Sequence, residues 1–147
     1  MDYKTITEDK AREGFQGGID CSMQVLAHCA EKTGISETQA LKAAAAFGGG
    51  MWHGETCGAA TAGLIALGLK YGNHETGDKE GKDSFLAKKA EFEKAFAKAN
   101  ESLICKEILK YDISKPEEME KIMEENLLMT LCPKVVCNAC KILDEMI

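Results

Sequence analysis

The sequence predicts an all-α chain, a helical bundle of six or seven elements forming one domain over residues 1–147, interrupted by a single glycine-rich loop. Three observations carry this expectation. Apolar residues recur at helical spacing, as in Phe85, Phe92, Phe96 and Leu103. Polar caps and glycines punctuate these runs as helix starts and stops. No segment shows the alternation of a convincing strand.

Thr7 is placed to cap a first short helix ending at Gly17-Gly18, and Asp20 to open a second that runs through Met23, Val25, Leu26 and Ala30 to Gly34. Ser36 and Gln39 form a capping box for a third, expected to continue through Ala43–Ala46 and stop at Gly48. Gly48–Glu55 is the glycine-dense loop, with Thr56 the expected cap of the helix that leaves it. That helix carries Gly58, Ala59, Ala62, Gly63 and Ala66; glycine costs roughly 1 kcal/mol of helix propensity, so close contact with a neighbour should offset it and the element is expected at the centre. The small-residue face suits packing within one chain or against a second copy, so a homodimer is one expectation. Residues 72–83 read as a polar loop, followed by a long amphipathic segment bending near Asn100–Ser102. Ser114, Pro116 and Glu117 predict another boxed helix start. The last helix follows Pro133 and buries Val136, Cys140, Leu143 and Ile147.

The seven cysteines divide by position. Cys21 follows Asp20, Cys57 follows Thr56, Cys105 comes shortly after Ser102, and Cys132 precedes Pro133, so all four fall at expected helix starts. There the unpaired N–H groups and the dipole favour thiolate, the form that binds metals and attacks disulfides. Cys29, Cys137 and Cys140 read as interior positions where a thiol acts as a small apolar group, with Cys140 on the apolar face and Cys137 toward the polar side.

The segment FGGGMWHGETCGAATAGLIALGLKYG resembles the redox-active C_GCAxxG_C_C family, along the full length of the chain. The four cysteines that name the family match Cys21, Cys57, Cys105 and Cys132. The family pattern expects glycine five residues after its central cysteine; here Ala62 stands there and Gly63 follows. The resemblance implies redox activity without a defined substrate, and a related domain accompanies an iron–sulfur centre in some multihaem cytochromes.

Two chemistries follow from the four cysteines. In one they are metal ligands, for an iron–sulfur cluster or, with the same sulfurs, zinc. In the other the chain is a dithiol/disulfide oxidoreductase needing no cofactor, with Cys57 as the attacking thiol beside its flexible loop and Cys21 as the resolving partner. A metal-handling or purely structural helical module is the remaining alternative. Around the cofactor, Gly49, Gly50, Trp52, His53 and Gly58 are the expected contacts; His53 and Glu55 would serve as a proton donor and a charge beside Cys57. For Trp52, core packing is favoured over covering a cofactor or docking a partner.

Other patterns carry less. Cys132, Cys137 and Cys140 have the C-x4-C-x2-C spacing of plant-type ferredoxins, but on a helical segment where those ligands need a loop. His53-Gly54-Glu55 with Cys137-x2-Cys140 mimics a zinc deaminase signature without its proline or its sheet. Gly49–Gly54 lacks the lysine of a phosphate loop. The formal charge of −6 argues against a nucleic-acid surface, and no apolar run reaches membrane-spanning length. The opening MDYKTITEDKAREGF lacks a basic stretch leading into an apolar one, so a cytoplasmic location is expected, where an odd number of thiols serves metal or redox use and an unidentified redox partner exchanges the electrons.

Overall fold

The computed structural model describes residues 1–147. Its elements are α1 (Glu8–Gln16), α2 (Cys21–Thr33), α3 (Glu37–Ala43), a π-helical turn (Gly50–Gly54), α4 (Gly58–Tyr71), α5 (Lys79–Asn100), α6 (Cys105–Leu109), α7 (Pro116–Glu124), α8 (Leu127–Thr130) and α9 (Cys132–Met146). The fold is all-α, as expected. Two of the nine helices, α6 and α8, are too short for apolar periodicity to announce them, which accounts for the excess over six or seven. No single helix is long and apolar enough to cross a membrane.

Local chemistry sets most boundaries. Thr7 caps α1 by accepting from the Lys10 N–H at 3.2 Å, Gly34 closes α2 with φ 82°, and the Ser36–Gln39 capping box is complete. Three boundaries differ from expectation. Helix α3 stops at Ala43, because beyond it the Ala44 carbonyl accepts from the buried Ser22 hydroxyl at 2.7 Å and from the Phe47 N–H at 3.1 Å. Helix α5 starts earlier, at Lys79, where the Asp78 carboxylate accepts from the Gly81 N–H at 2.9 Å. Ser114 forms no capping box; its hydroxyl is drawn 2.6 Å to Asp112, and Lys115 occupies the cap position.

Helix α2 lies at the centre, packed against α4, α3, α9 and α1, while α4 also meets α5 and α9. The core is built from Val25 and Leu26 of α2, Ala59, Ala66 and Leu67 of α4, Phe92 and Phe96 of α5, and Val136 and Leu143 of α9. Ala62 is fully buried, and Gly63 takes the close approach, its missing β-carbon replaced by the Phe92 ring. A smaller cluster of Cys105, Leu109, Ile113 and Ile122 sits under α6 and α7. Cys137 is buried instead of facing solvent, because α1 covers that side of α9. Buried Gln24 donates to the carbonyls of Ala11 at 3.1 Å and Ile19 at 2.9 Å, fixing how α1 delivers the chain into the start of α2.

Candidate functional site

All four selected cysteines stand at helix starts. Cys21, Cys105 and Cys132 are the first residues of α2, α6 and α9, and Cys57 is the residue that caps α4. Thr56, expected as that cap, has another task. It forms an isolated antiparallel bridge with Ile104, in which the Cys57 N–H donates to the Leu103 carbonyl at 2.7 Å and the Cys105 N–H to the Glu55 carbonyl at 2.6 Å. Two bonds therefore clamp the starts of α4 and α6 together, and with them Cys57 and Cys105.

Cys21 joins them because α4 begins with glycine. A β-carbon on Gly58 would stand 2.7 Å from the Cys21 sulfur and 2.6 Å from the Phe47 carbonyl oxygen, so only glycine admits that sulfur against the first turn. The Cys21 and Cys57 thiols are neighbours, and Cys57 is the largest influence raising Cys21. Cys132 arrives from α9, and all four sulfur-bearing residues line one cavity of about 50 Å³. That is room for more than one water by the usual measure of about 10–15 Å³ each, but the walls offer water little to bond. Phe15, Ile108, Leu109, Ile113, Leu128 and Val135 complete most of them.

The loop over this cavity has an unusual backbone. Gly49, Gly50, Met51 and Trp52 have φ of 61°, 61°, 58° and 58°, four consecutive residues in the left-handed region. For a non-glycine residue this conformation costs roughly 1–2 kcal/mol, and such strain concentrates at functional sites. Gly50 is obligatory here, since its β-carbon would meet the Glu55 nitrogen at 2.5 Å. The turn sets Gly49 and Trp52 into the cavity wall; Trp52 stays 46% exposed, so it is a partial lid and not a core residue. Gly58 lines the cavity. Gly50 and the exposed His53 and Glu55 do not.

The electrostatics reverse one expectation. Helix starts favour thiolate, yet burial wins. Cys105 is pushed up to about 12 by desolvation, with Cys21 adding to it. Desolvation likewise raises Cys132, with Cys21 and Cys105 adding to it. Cys21 is held well above its usual range first by its neighbour Cys57 and then by burial, against a smaller pull the other way from the Gly49 backbone. Cys21, Cys105 and Cys132 thus keep their protons near neutrality, as buried thiols do in apolar surroundings.

A residue read only as a helix cap proves to be part of the site. Asp20 makes no capping bond, lines the cavity next to Cys21, and is raised by desolvation. Its neighbour in sequence to a cysteine was the available signal, masked by its equal fitness as a cap.

A family model covers residues 19–146, with the description "Putative redox-active protein (C_GCAxxG_C_C)". The chain belongs to the C_GCAxxG_C_C family. Its role is redox in the general sense that this family carries. The C_GCAxxG_C_C match takes in every cavity-lining cysteine and leaves out α1, which contributes Phe15. No curated protein and no solved structure matches the chain.

No three His, Cys, Asp or Glu side chains are placed to hold a single ion, so the sulfurs would have to move together to chelate zinc. A cluster would make a different demand, since its four thiolates would be shared among several irons and not gathered on one ion. Four thiols lining one apolar cavity match the ligand number of such a cluster.

Proposed function

We propose that this C_GCAxxG_C_C protein is an electron-transfer protein in which Cys21, Cys57, Cys105 and Cys132 hold an iron–sulfur cluster. The observation that carries it is the convergence of four sulfurs, from helix starts separated by up to 111 residues, on one apolar cavity. When bound, a cluster supplies one-electron transfer at a potential set by burial and hydrogen bonds to sulfur. The chain's own residues do the rest. Asp20 is the carboxyl beside Cys21 that accepts a thiol proton as the ligands ionise, Gly49 lines the cavity beside Cys21, and the hydrocarbon walls exclude water. Trp52, partly exposed, covers the side from which a redox partner approaches. The test is anaerobic purification with iron and sulfide analysis and a visible spectrum. A coloured protein containing sulfide is expected; a colourless protein that cannot be reconstituted with iron and sulfide would overturn the proposal.

The proximity of Cys21 and Cys57 on one cavity wall favours a second reading, a dithiol oxidoreductase. The two thiols would form one S–S bond, releasing two electrons and two protons to a disulfide substrate that leaves as two thiols. Cys21 is held well above its usual range and keeps its proton, which suits it to the resolving role beside Cys57. A metal-free protein whose thiols pair reversibly in a two-electron titration would establish this reading in place of the first.

A further inference from the structure

Behind the thiol cavity lies a second opening, a cleft of about 570 Å³ between the end of α5, α6, α8 and α9. Its volume falls within the range of small-molecule sites. Its floor is apolar, made by Ile108, Leu109, Leu127, Leu131 and Val135. Three of these, Ile108, Leu109 and Val135, also wall the thiol cavity, so a single layer of side chains separates the two spaces.

The polar groups define what the cleft would take. Glu101, Lys110, Tyr111, Glu125 and Lys134 are the titratable groups that face it. Both acids are already engaged, Glu101 with the Lys110 ammonium at 2.8 Å and Glu125 by accepting from the Tyr111 hydroxyl. Lys134 has no ion-pair partner. It sits in the first turn of α9, where the dipole also favours an anion, one turn before Asn138 on the same helix face. Asn138 donates to buried Asn100 at 2.9 Å, and Asn100 donates in turn to the Phe96 carbonyl at 3.2 Å. That chain holds the Asn138 amide in place with its carbonyl oxygen and one N–H unused. Two rim residues, Glu101 and Lys110, close the ends of α5 and α6 in the left-handed region, with φ of 74° and 69°.

We infer that the cleft binds a small organic carboxylate with an apolar body, its carboxylate on Lys134 and the Asn138 amide and its hydrocarbon on the floor. The inference stands apart from the metal and dithiol readings, since none of its contacts is a cysteine. It is tested by titrating the ¹⁵N-labelled protein with hexanoate and benzoate while following the Asn138 and Asn100 side-chain amides, with hexylamine and acetate as controls. Saturable shifts with dissociation constants at or below about 1 mM are expected for the two apolar acids, and none for hexylamine or acetate. Lys134→Gln, an exposed substitution, should weaken binding by about tenfold or more with the fold intact, as expected for a lost charge-assisted hydrogen bond. Absent or unsaturable shifts, hexylamine binding as well as hexanoate, or unchanged affinity in Lys134→Gln would each overturn it.

Discussion

The ring of Phe92 occupies the space in which Gly63 would carry a side chain: a β-carbon there would lie 2.3 Å from the Phe92 Cζ. The contact joins α4 to α5 and holds the helix that begins at Cys57 against the body of the molecule. Gly63→Ala is expected to destabilise the fold by about 1–3 kcal/mol, the usual effect of overpacking a filled core. Urea unfolding measures it. Phe92→Leu introduced with Gly63→Ala should recover part of the loss; if the pair simply add, the contact is not the cause.

Gly58 serves both the site and the fold. Gly58→Ala places a methyl 2.7 Å from the Cys21 sulfur and 2.6 Å from the Phe47 carbonyl oxygen, so both the sulfur and the backbone before the glycine loop must shift. The expected outcome is a folded protein with impaired iron and sulfide retention, or with slower pairing of Cys21 and Cys57. Retention equal to the parent protein would show that Cys21 tolerates displacement.

The cysteines should divide into two functional groups. Cys57→Ser removes a cavity-lining sulfur and is expected to abolish the redox signal, whether read as cluster absorbance or as reversible thiol pairing. Cys137→Ser lies outside the cavity and should retain most of it. Equal behaviour of the two variants would contradict the assignment.

Buried thiols also predict how stability depends on pH. Cys29 and Cys105, both held up at about 12 by burial from an ordinary 9.0, bind their protons more tightly folded than unfolded. Stability of the metal-free chain should therefore be intact below about pH 9 and fall as the pH rises toward 12. Cys29→Ala, which removes a thiol far from the cavity, should flatten that fall. Denaturant midpoints from about pH 8 to 11 provide the measurement; an equal slope in the variant would refute the attribution.

His28 ties three parts of the chain together. Its ring nitrogens lie 2.7 Å from the Tyr3 carbonyl oxygen and 2.8 Å from the Asp144 carboxylate, linking α2 to the amino-terminal segment and to the end of α9. His28→Ala should lower stability by about 1–3 kcal/mol and raise amide exchange around Tyr3. Exchange unchanged in that segment would show that its packing alone holds it.

Much of this arrangement was legible from residue order. The positions of Cys21, Cys57, Cys105 and Cys132 at helix starts follow from neighbouring caps and a proline, and those starts are where the structure has them. The close packing of α4 follows from its small residues, although α2 and not α4 holds the centre. What escaped was set by contacts between distant segments. Thr56 fits a cap as well as a bridge until Ile104 is beside it, and nothing local tells that burial will outweigh the helix dipole at Cys105. Asp20 offered the same ambiguity. Cys137 reads as solvent-facing on its own helix and is buried only because α1 lies over it.

The four left-handed residues at Gly49–Trp52 separate two right-handed segments, α3 before them and α4 after. A helix cannot propagate through a turn of the opposite hand. The alanine-rich stretch ahead of the turn is thereby insulated from the one behind it, and Cys57 remains a terminus, never absorbed into the middle of one continuous rod.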